Sequence, residues 1–292
     1  MKNSESTRAS RAARRFRLGE RGERLESRDN RWLKRFRAAL SGPAEKDGAP
    51  LGVEGPRLVG EALRSHLHIE ALLVAESGER HLTRLKSVLP AGIRVLRTSD
   101  RLFAAVAGTE TPQGIALLSE PPRWRMDDLL RSSALVVVLA GVQDPGNVGT
   151  IVRAAEAFGA SGVIACRGSA HPFSAKSLRA SAGSAFRLPA LAGVAAASAL
   201  VDLRARGIRQ FAASLMGGER PEQSDLAGPC ALWIGSEGAG LPPEIKSAAD
   251  ARIRIPIHQP VDSLNAAAAA AVLLYEAARQ RSRASQQAEA AS

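Results

Sequence analysis

The chain has 292 residues, 45% of them hydrophobic and 4% aromatic, with a formal net charge of +11. That is enough to bury a sizeable core in more than one domain, and no apolar run reaches the roughly 18 residues of a membrane-spanning helix. The charge is lopsided: residues 1–37 carry 13 Lys/Arg against 5 Asp/Glu, and the remainder 27 against 24.

Residues 1–28 have few apolar positions and no periodicity, and read as a disordered basic arm. Such an arm attracts phosphate backbones without reading sequence; its alternative is a tail that only aids solubility. Glu5, Glu20, Glu23 and Glu26 argue against a transit peptide, and no apolar segment follows to make a secretory signal. Cys166 and Cys230 suit neither a disulfide framework nor a four-ligand zinc site. They read as buried thiols in a reducing compartment, the cytoplasm.

In the stretch Asn30–Leu40, Trp32, Leu33, Phe36, Ala39 and Leu40 recur at helical spacing between basic residues, which predicts an amphipathic helix. Ser41 to Pro50 reads as a loop. A small α/β unit follows to about Leu118: a helix opened by Gly55-Pro56, a strand Ile69–Ala75 and a helix Leu82–Val88. Next come a strand Ile93–Leu96, a helix from Asp100 and a strand Gly114–Leu118. His66, His68 and His81 lack ligand partners at metal-binding spacing and read as surface residues. Pro121-Pro122 begins a linker, 121–134.

Leu135–Leu139 (LVVVL) is too uniformly apolar to have a wet face, which predicts a buried parallel strand. A helix from Val148 to Phe158 places Arg153 about 140° from Val148, off the apolar face. The pattern continues with strand Gly162–Cys166, helix Ala175–Ala182, a short strand near Leu188 and a helix Val194–Arg206. Strands Ile208–Ser214 and Ala231–Ile234, helix Pro242–Ala249, strand Ala251–Ile255 and a last helix Ser263–Gln280 complete it. Residues 283–292 read as a disordered polar tail.

Glycines and polar residues gather where these strands end. Asp144-Pro145-Gly146-Asn147-Val148-Gly149 lacks the Lys-Ser/Thr of a triphosphate-binding loop, and no Rossmann glycine fingerprint follows the first strand. Gly235-Ser236-Glu237-Gly238-Ala239-Gly240 sets an acid among glycines that would let backbone amides approach a ligand. Ile255-Pro256-Ile257 leads to Ser263-Leu264-Asn265, where Ser263 is a good N-cap and capping alone would account for Ser263 or Asn265.

These three motifs, in this order, resemble the SpoU/TrmH family of RNA ribose 2′-O-methyltransferases, within the SPOUT superfamily. The resemblance covers Leu135 to Arg279 strongly and Asn30 to Leu118, with Val53-Glu54-Gly55-Pro56, more weakly. It implies an α/β fold: a trefoil-knotted SPOUT methyltransferase domain with a parallel sheet (135–282), after a small α/β, ribosomal-protein-L30-like RNA substrate-binding domain (29–120). It implies S-adenosylmethionine as cofactor, held by Leu215, Gly235, Ile255 and Leu264, and a homodimer with the site near the interface. Arg153 matches the family's catalytic arginine; Asn147, Glu237, Ser263 and Asn265 match its other signature polar positions. Gln259 and Asp262 depart from the family's usual Gly and Glu. The expected activity is methyl transfer to a ribose 2′-hydroxyl of structured RNA, ribosomal rather than transfer RNA, bound by the arm and N-terminal domain, with no membrane partner. Two readings stay open: a non-catalytic RNA-binding or ribosome-assembly factor, and a base-nitrogen RNA methyltransferase.

Overall fold

The computed structural model describes residues 23–41, 49–130 and 133–290. The first unit runs β1 (Glu23–Leu25), α1 (Arg31–Ser41), β2 (Leu51–Glu54), α2 (Pro56–Arg64), β3 (Ile69–Ala75), α3 (Glu79–Leu85), β4 (Arg94–Thr98), α4 (Asp100–Ala104) and β5 (Ile115–Ser119). Its five strands lie in the order β1-β4-β3-β5-β2. β3 runs parallel to β4 and antiparallel to β5. A short α5 (Met126–Leu129) interrupts the linker.

The second unit continues β6 (Leu135–Ala140), α6 (Pro145–Ala157), β7 (Gly162–Cys166), α7 (Ala175–Ser181), β8 (Ala190–Val194), α8 (Ala196–Ala205), β9 (Arg209–Ala213), β10 (Cys230–Gly235), α9 (Pro243–Ala248), β11 (Ala251–Ile253) and α10 (Ala266–Ala290). Six parallel strands take the order β11-β9-β10-β6-β7-β8. β6 is buried on both faces, as its composition requires. Leu135, Val137 and Leu139 point to the α6 and α10 side, and Val136, Val138 and Ala140 to the α8 and α9 side.

The two units share a core. Val59, Leu72, Val74 and Leu117 of the first belong to the same buried cluster as Ile151, Phe186 and Leu274 of the second. Polar groups reinforce the junction: Arg187 binds Glu156 of α6 at 2.7 and 2.9 Å and Glu61 of α2 at 2.8 Å. The Arg187 hydrogen bonds hold the Glu156 carboxyl below its usual range, against the opposing effect of burial. A depressed folded-state value contributes stability that is complete above the ordinary glutamate range and is lost as pH falls through the lower value. Thermal melts from about pH 7 to pH 3 should therefore show a steeper acid loss for the parent than for Arg187→Ala. Equal slopes would mean that the bridge contributes nothing.

Several expectations need correction. β1 and β2 are additional strands, so residues 23–25 belong to the sheet rather than to the arm; residues 1–22, and the expected loop over 42–48, lie outside the described residues. α10 runs through the expected tail to Ala290. His81 is buried, not superficial, because α3 starts at Glu79 and turns it inward; burial first, then Arg80 and Arg84, lower its pKa. No described helix is long and apolar enough to cross a membrane. Both cysteines are free and buried, and burial pushes the Cys166 thiol up to about 12.

Candidate active site

In a parallel sheet the loops after the strands gather at one edge. After β6, Gly141 takes φ +85°, a region open to glycine, and the N–H groups of Gly141 and Val142 donate to Ser169 Oγ at 2.9 and 3.2 Å. Asp144 then caps α6, accepting from Asn147 N at 3.3 Å. Its other oxygen accepts from Lys176 at 2.6 Å, the main reason its pKa lies below the usual carboxylate range. α7 lies directly on α6 because Gly149 has no side chain: a Cβ there would stand 2.2 Å from the Ser177 carbonyl oxygen.

After β10 the chain closes a tight loop in which Ser236 and Gly240 exchange backbone hydrogen bonds of 3.1 and 3.0 Å. A Cβ on Gly235 would fall 2.2 Å from the Gly240 carbonyl carbon. The glycine is thus required for chain to lie on chain, and its backbone also lines the neighbouring cleft. The loop presents Glu237 toward α6.

Three motifs meet here through side chains. Asn265 Oδ1 accepts from Ala267 N at 2.9 Å and Ala268 N at 3.4 Å, capping α10. The capping requirement fixes its amide, so Nδ2 donates to Asn147 Oδ1 at 3.1 Å. Asn147 must then turn its own Nδ2 outward, and it donates to Glu237 Oε1. A helix terminus thereby sets the direction of the whole chain of hydrogen bonds. Its last member is an acceptor, the Glu237 carboxyl oxygen. The cap is Asn265 and not Ser263, which instead lines the neighbouring cleft.

That cleft encloses about 730 Å³, part of it open to solvent. Leu215, Gly235, Ile255 and Leu264 all line it, together with Glu237 and Ser263. Ser214, Ile234, Ile253, Ile257 and Ala266 line it too. Their sequence signature is that of core strands and an alanine helix, so nothing local marks them as binding residues. Asn147 and Asn265 stand behind Glu237, outside the lining. Arg153 is exposed on α6, about 9 Å further along the axis from Asn147. No hydrogen bond or ion pair engages its guanidinium among the described residues.

The chain is similar to known proteins. The model of the SpoU rRNA Methylase family matches residues 134–275, and that of the MRM3-like substrate binding domain matches 46–117. The chain is 34% identical over 223 residues to the 23S rRNA (guanosine(2553)-2′-O)-methyltransferase RlmP of Bacillus subtilis, covering 76% of this chain and 86% of that one. Among solved structures, the AdoMet-bound rRNA methyltransferase of Sinorhizobium meliloti superposes with a TM-score of 0.77 at 31% identity, over 88% of this chain and 97% of that one. The SpoU methyltransferase AviRb of Streptomyces viridochromogenes, also with AdoMet, gives 0.75 at 29% identity, over 86% and 98%. The chain belongs to the SpoU rRNA methylase family, RNA 2′-O-ribose methyltransferases that take their methyl group from S-adenosylmethionine.

Proposed function

We propose that this protein methylates a ribose 2′-hydroxyl of large-subunit ribosomal RNA in the cytoplasm, as a homodimer whose C-terminal domain is knotted. The observation that carries the reading is the convergence of Asn147, Glu237 and Asn265, from three separate motifs, at the rim of one apolar cleft. The cleft fits S-adenosylmethionine. Ile234, Ile253, Ile255, Ile257 and Leu264 give apolar walls for an adenosine, and Glu237 offers a carboxylate to a cation.

S-adenosylmethionine supplies an electrophilic methyl group on a sulfonium. The chain's own residues do the rest. Glu237, held by Asn147, fixes negative charge at the rim of the cleft. Arg153 orients the ribose hydroxyl and stabilises charge as its proton leaves; a guanidinium holds its own proton too tightly to be a good base. Residues 29–120, with β1, hold the RNA, and 135–282, with the remainder of α10, hold the cofactor. The knot is supported by the return of the chain from edge strand β11, past the 217–219 loop it hydrogen-bonds, to bring Leu264 beside Gly235. The dimer is supported by exposed Val272 and Tyr275 on α10, the latter edge-on to Phe158 just past α6, with ring centroids 5.9 Å apart. Sedimentation tests it, and an active monomer would overturn it.

The deciding experiment incubates the protein with methyl-labelled S-adenosylmethionine and unmodified ribosomal or transfer RNA, followed by alkaline hydrolysis. Label in alkali-resistant dinucleotides of ribosomal RNA is expected. Label in mononucleotides would indicate base methylation, and absence of both label and cofactor binding would indicate an assembly factor. Asn265→Asp separates support from structure: the carboxylate keeps the α10 cap but cannot donate to Asn147. We expect near-parent stability with activity down by roughly a hundredfold, whereas Asn265→Ala should also cost about 1 kcal/mol of stability. Parent-like turnover by Asn265→Asp would show that the hydrogen-bond chain is dispensable.

A further inference from the structure

Three guanidiniums surround one indole on the N-terminal unit. Arg35, Arg94 and Arg31 place their guanidinium carbons 5.0, 5.1 and 5.8 Å from the Trp32 ring centroid. Trp32 is 8% exposed, and its indole N–H has no acceptor among the described residues. It therefore offers its surroundings a face, on which cations settle. Arg35 is paired with Glu70, and Arg94 with Glu23 at 3.5 Å. Arg31 and neighbouring Arg28 are exposed and have no carboxylate partner among the described residues. With Lys34, which meets Asp29 at 3.1 Å, the corner holds five cations against three carboxylates.

Gathering like charges costs folding free energy unless an anion answers them. The indole holds the guanidiniums in place, and the unpaired members face solvent. Glu23, in contact with Arg94, is also where residues 1–22 join, and those carry seven Lys/Arg against two Glu. The corner is built by β1, α1 and β4. Residues 23–41 precede the segment matched to the substrate-binding model, 46–117.

We propose that this Trp32-centred corner binds the phosphodiester backbone of an RNA helix flanking the target. The inference rests on the RNA-methylating reading above and extends it. It also sets the size of the substrate. α1 packs on the sheet face formed by Ala71, Leu73, Ala116 and Leu118, whereas the methyltransferase unit lies on the face with Leu72, Val74 and Leu117. An RNA that touches both the corner and the cleft must span the N-terminal sheet, as a folded ribosomal domain can.

The test uses the full chain, an RNA duplex of about 20 base pairs of arbitrary sequence as probe, and fluorescence anisotropy across about 50 to 200 mM salt. Arg28→Ala/Arg31→Ala should weaken duplex binding about tenfold near 0.1 M salt. It should also lower the slope of log K against log salt by about 2, one for each lost phosphate contact. Arg28→Lys/Arg31→Lys should retain both values, which a purely structural role for the arginines would not predict. With unmodified ribosomal RNA the alanine pair should raise KM and leave kcat and S-adenosylmethionine affinity unchanged. Parent-like affinity and slope in the alanine pair would overturn the proposal while leaving the methyl-transfer reading standing. A protein that binds duplex through these arginines but never binds S-adenosylmethionine would do the reverse.

Discussion

Arg153→Ala is expected to slow methyl transfer about a thousandfold while leaving fold and cofactor binding intact. The side chain is exposed, has no partner among the described residues and does not line the cleft, so its removal creates no cavity and leaves no buried group unpaired. Stability should change by no more than about 0.5 kcal/mol. On the role proposed for Arg153, what is lost is a cation beside a hydroxyl that sheds its proton, an electrostatic contribution of about 4 kcal/mol. Single-turnover transfer to ribosomal RNA, set beside calorimetric S-adenosylmethionine binding, separates the two properties. Transfer within tenfold of the parent would remove the arginine from the reaction. Arg153→Lys should fall between, since an ammonium keeps the charge and loses the planar fork.

Arg281→Ala should destabilise the protein by about 3 kcal/mol. Its guanidinium donates to Leu226 O at 3.0 Å and Ala134 O at 3.1 Å, and to the carbonyls of Ser133 and Gly228. Those carbonyls precede β6 and β10, so one side chain ties the entry of two central strands to α10. Gln280 adds to the clamp, accepting from Leu226 N at 2.9 Å and donating to Ser224 O at 3.0 Å. Hydrogen bonds from a charged donor are worth more than neutral ones, and several partly buried carbonyls would lose their partner together. The midpoint of urea unfolding should drop at unchanged slope, and Arg281→Lys should recover less than half. An unchanged midpoint would mean that water replaces the clamp without cost.

Where physics is local, the sequence was readable. Uniform apolar runs marked the buried strands, and glycine and polar clusters marked the loops that shape the site. Where tertiary contact decides, it was not. β2 holds four residues, one of them a glycine, too little to announce a strand; Gly52 is there because a Cβ would sit 2.6 Å from the Ala39 carbonyl. β1 lies in a charged run and buries only Leu25, so its identity comes from pairing with β4. The apolar stripe of α10 fades near Gln280, but the following segment has neither Gly nor Pro and is rich in helix formers, which carry it on to Ala290. Ser263 and Asn265 both read as possible caps, with Ser263 the better by type. The helix starts three residues later, and the cap passes to Asn265, the residue that also reaches Asn147.

The hydrogen bond between Asn265 and Asn147 joins residues 118 positions apart, and α10 is clamped by residues later still. Domains fold from the N-terminus as the chain emerges from the ribosome. A nascent chain can therefore pair the strands of its N-terminal sheet before the contacts among Asn147, Glu237 and Asn265 exist, but the face with Leu72, Val74 and Leu117 keeps an incomplete cover until α10 arrives. Prematurely terminated products that lack α10 would miss both the Asn265 contact and part of the core that the two units share. Completion of the cleft, which Leu264, Ala266 and Ala269 help to line, is thereby left to molecules whose synthesis has reached α10.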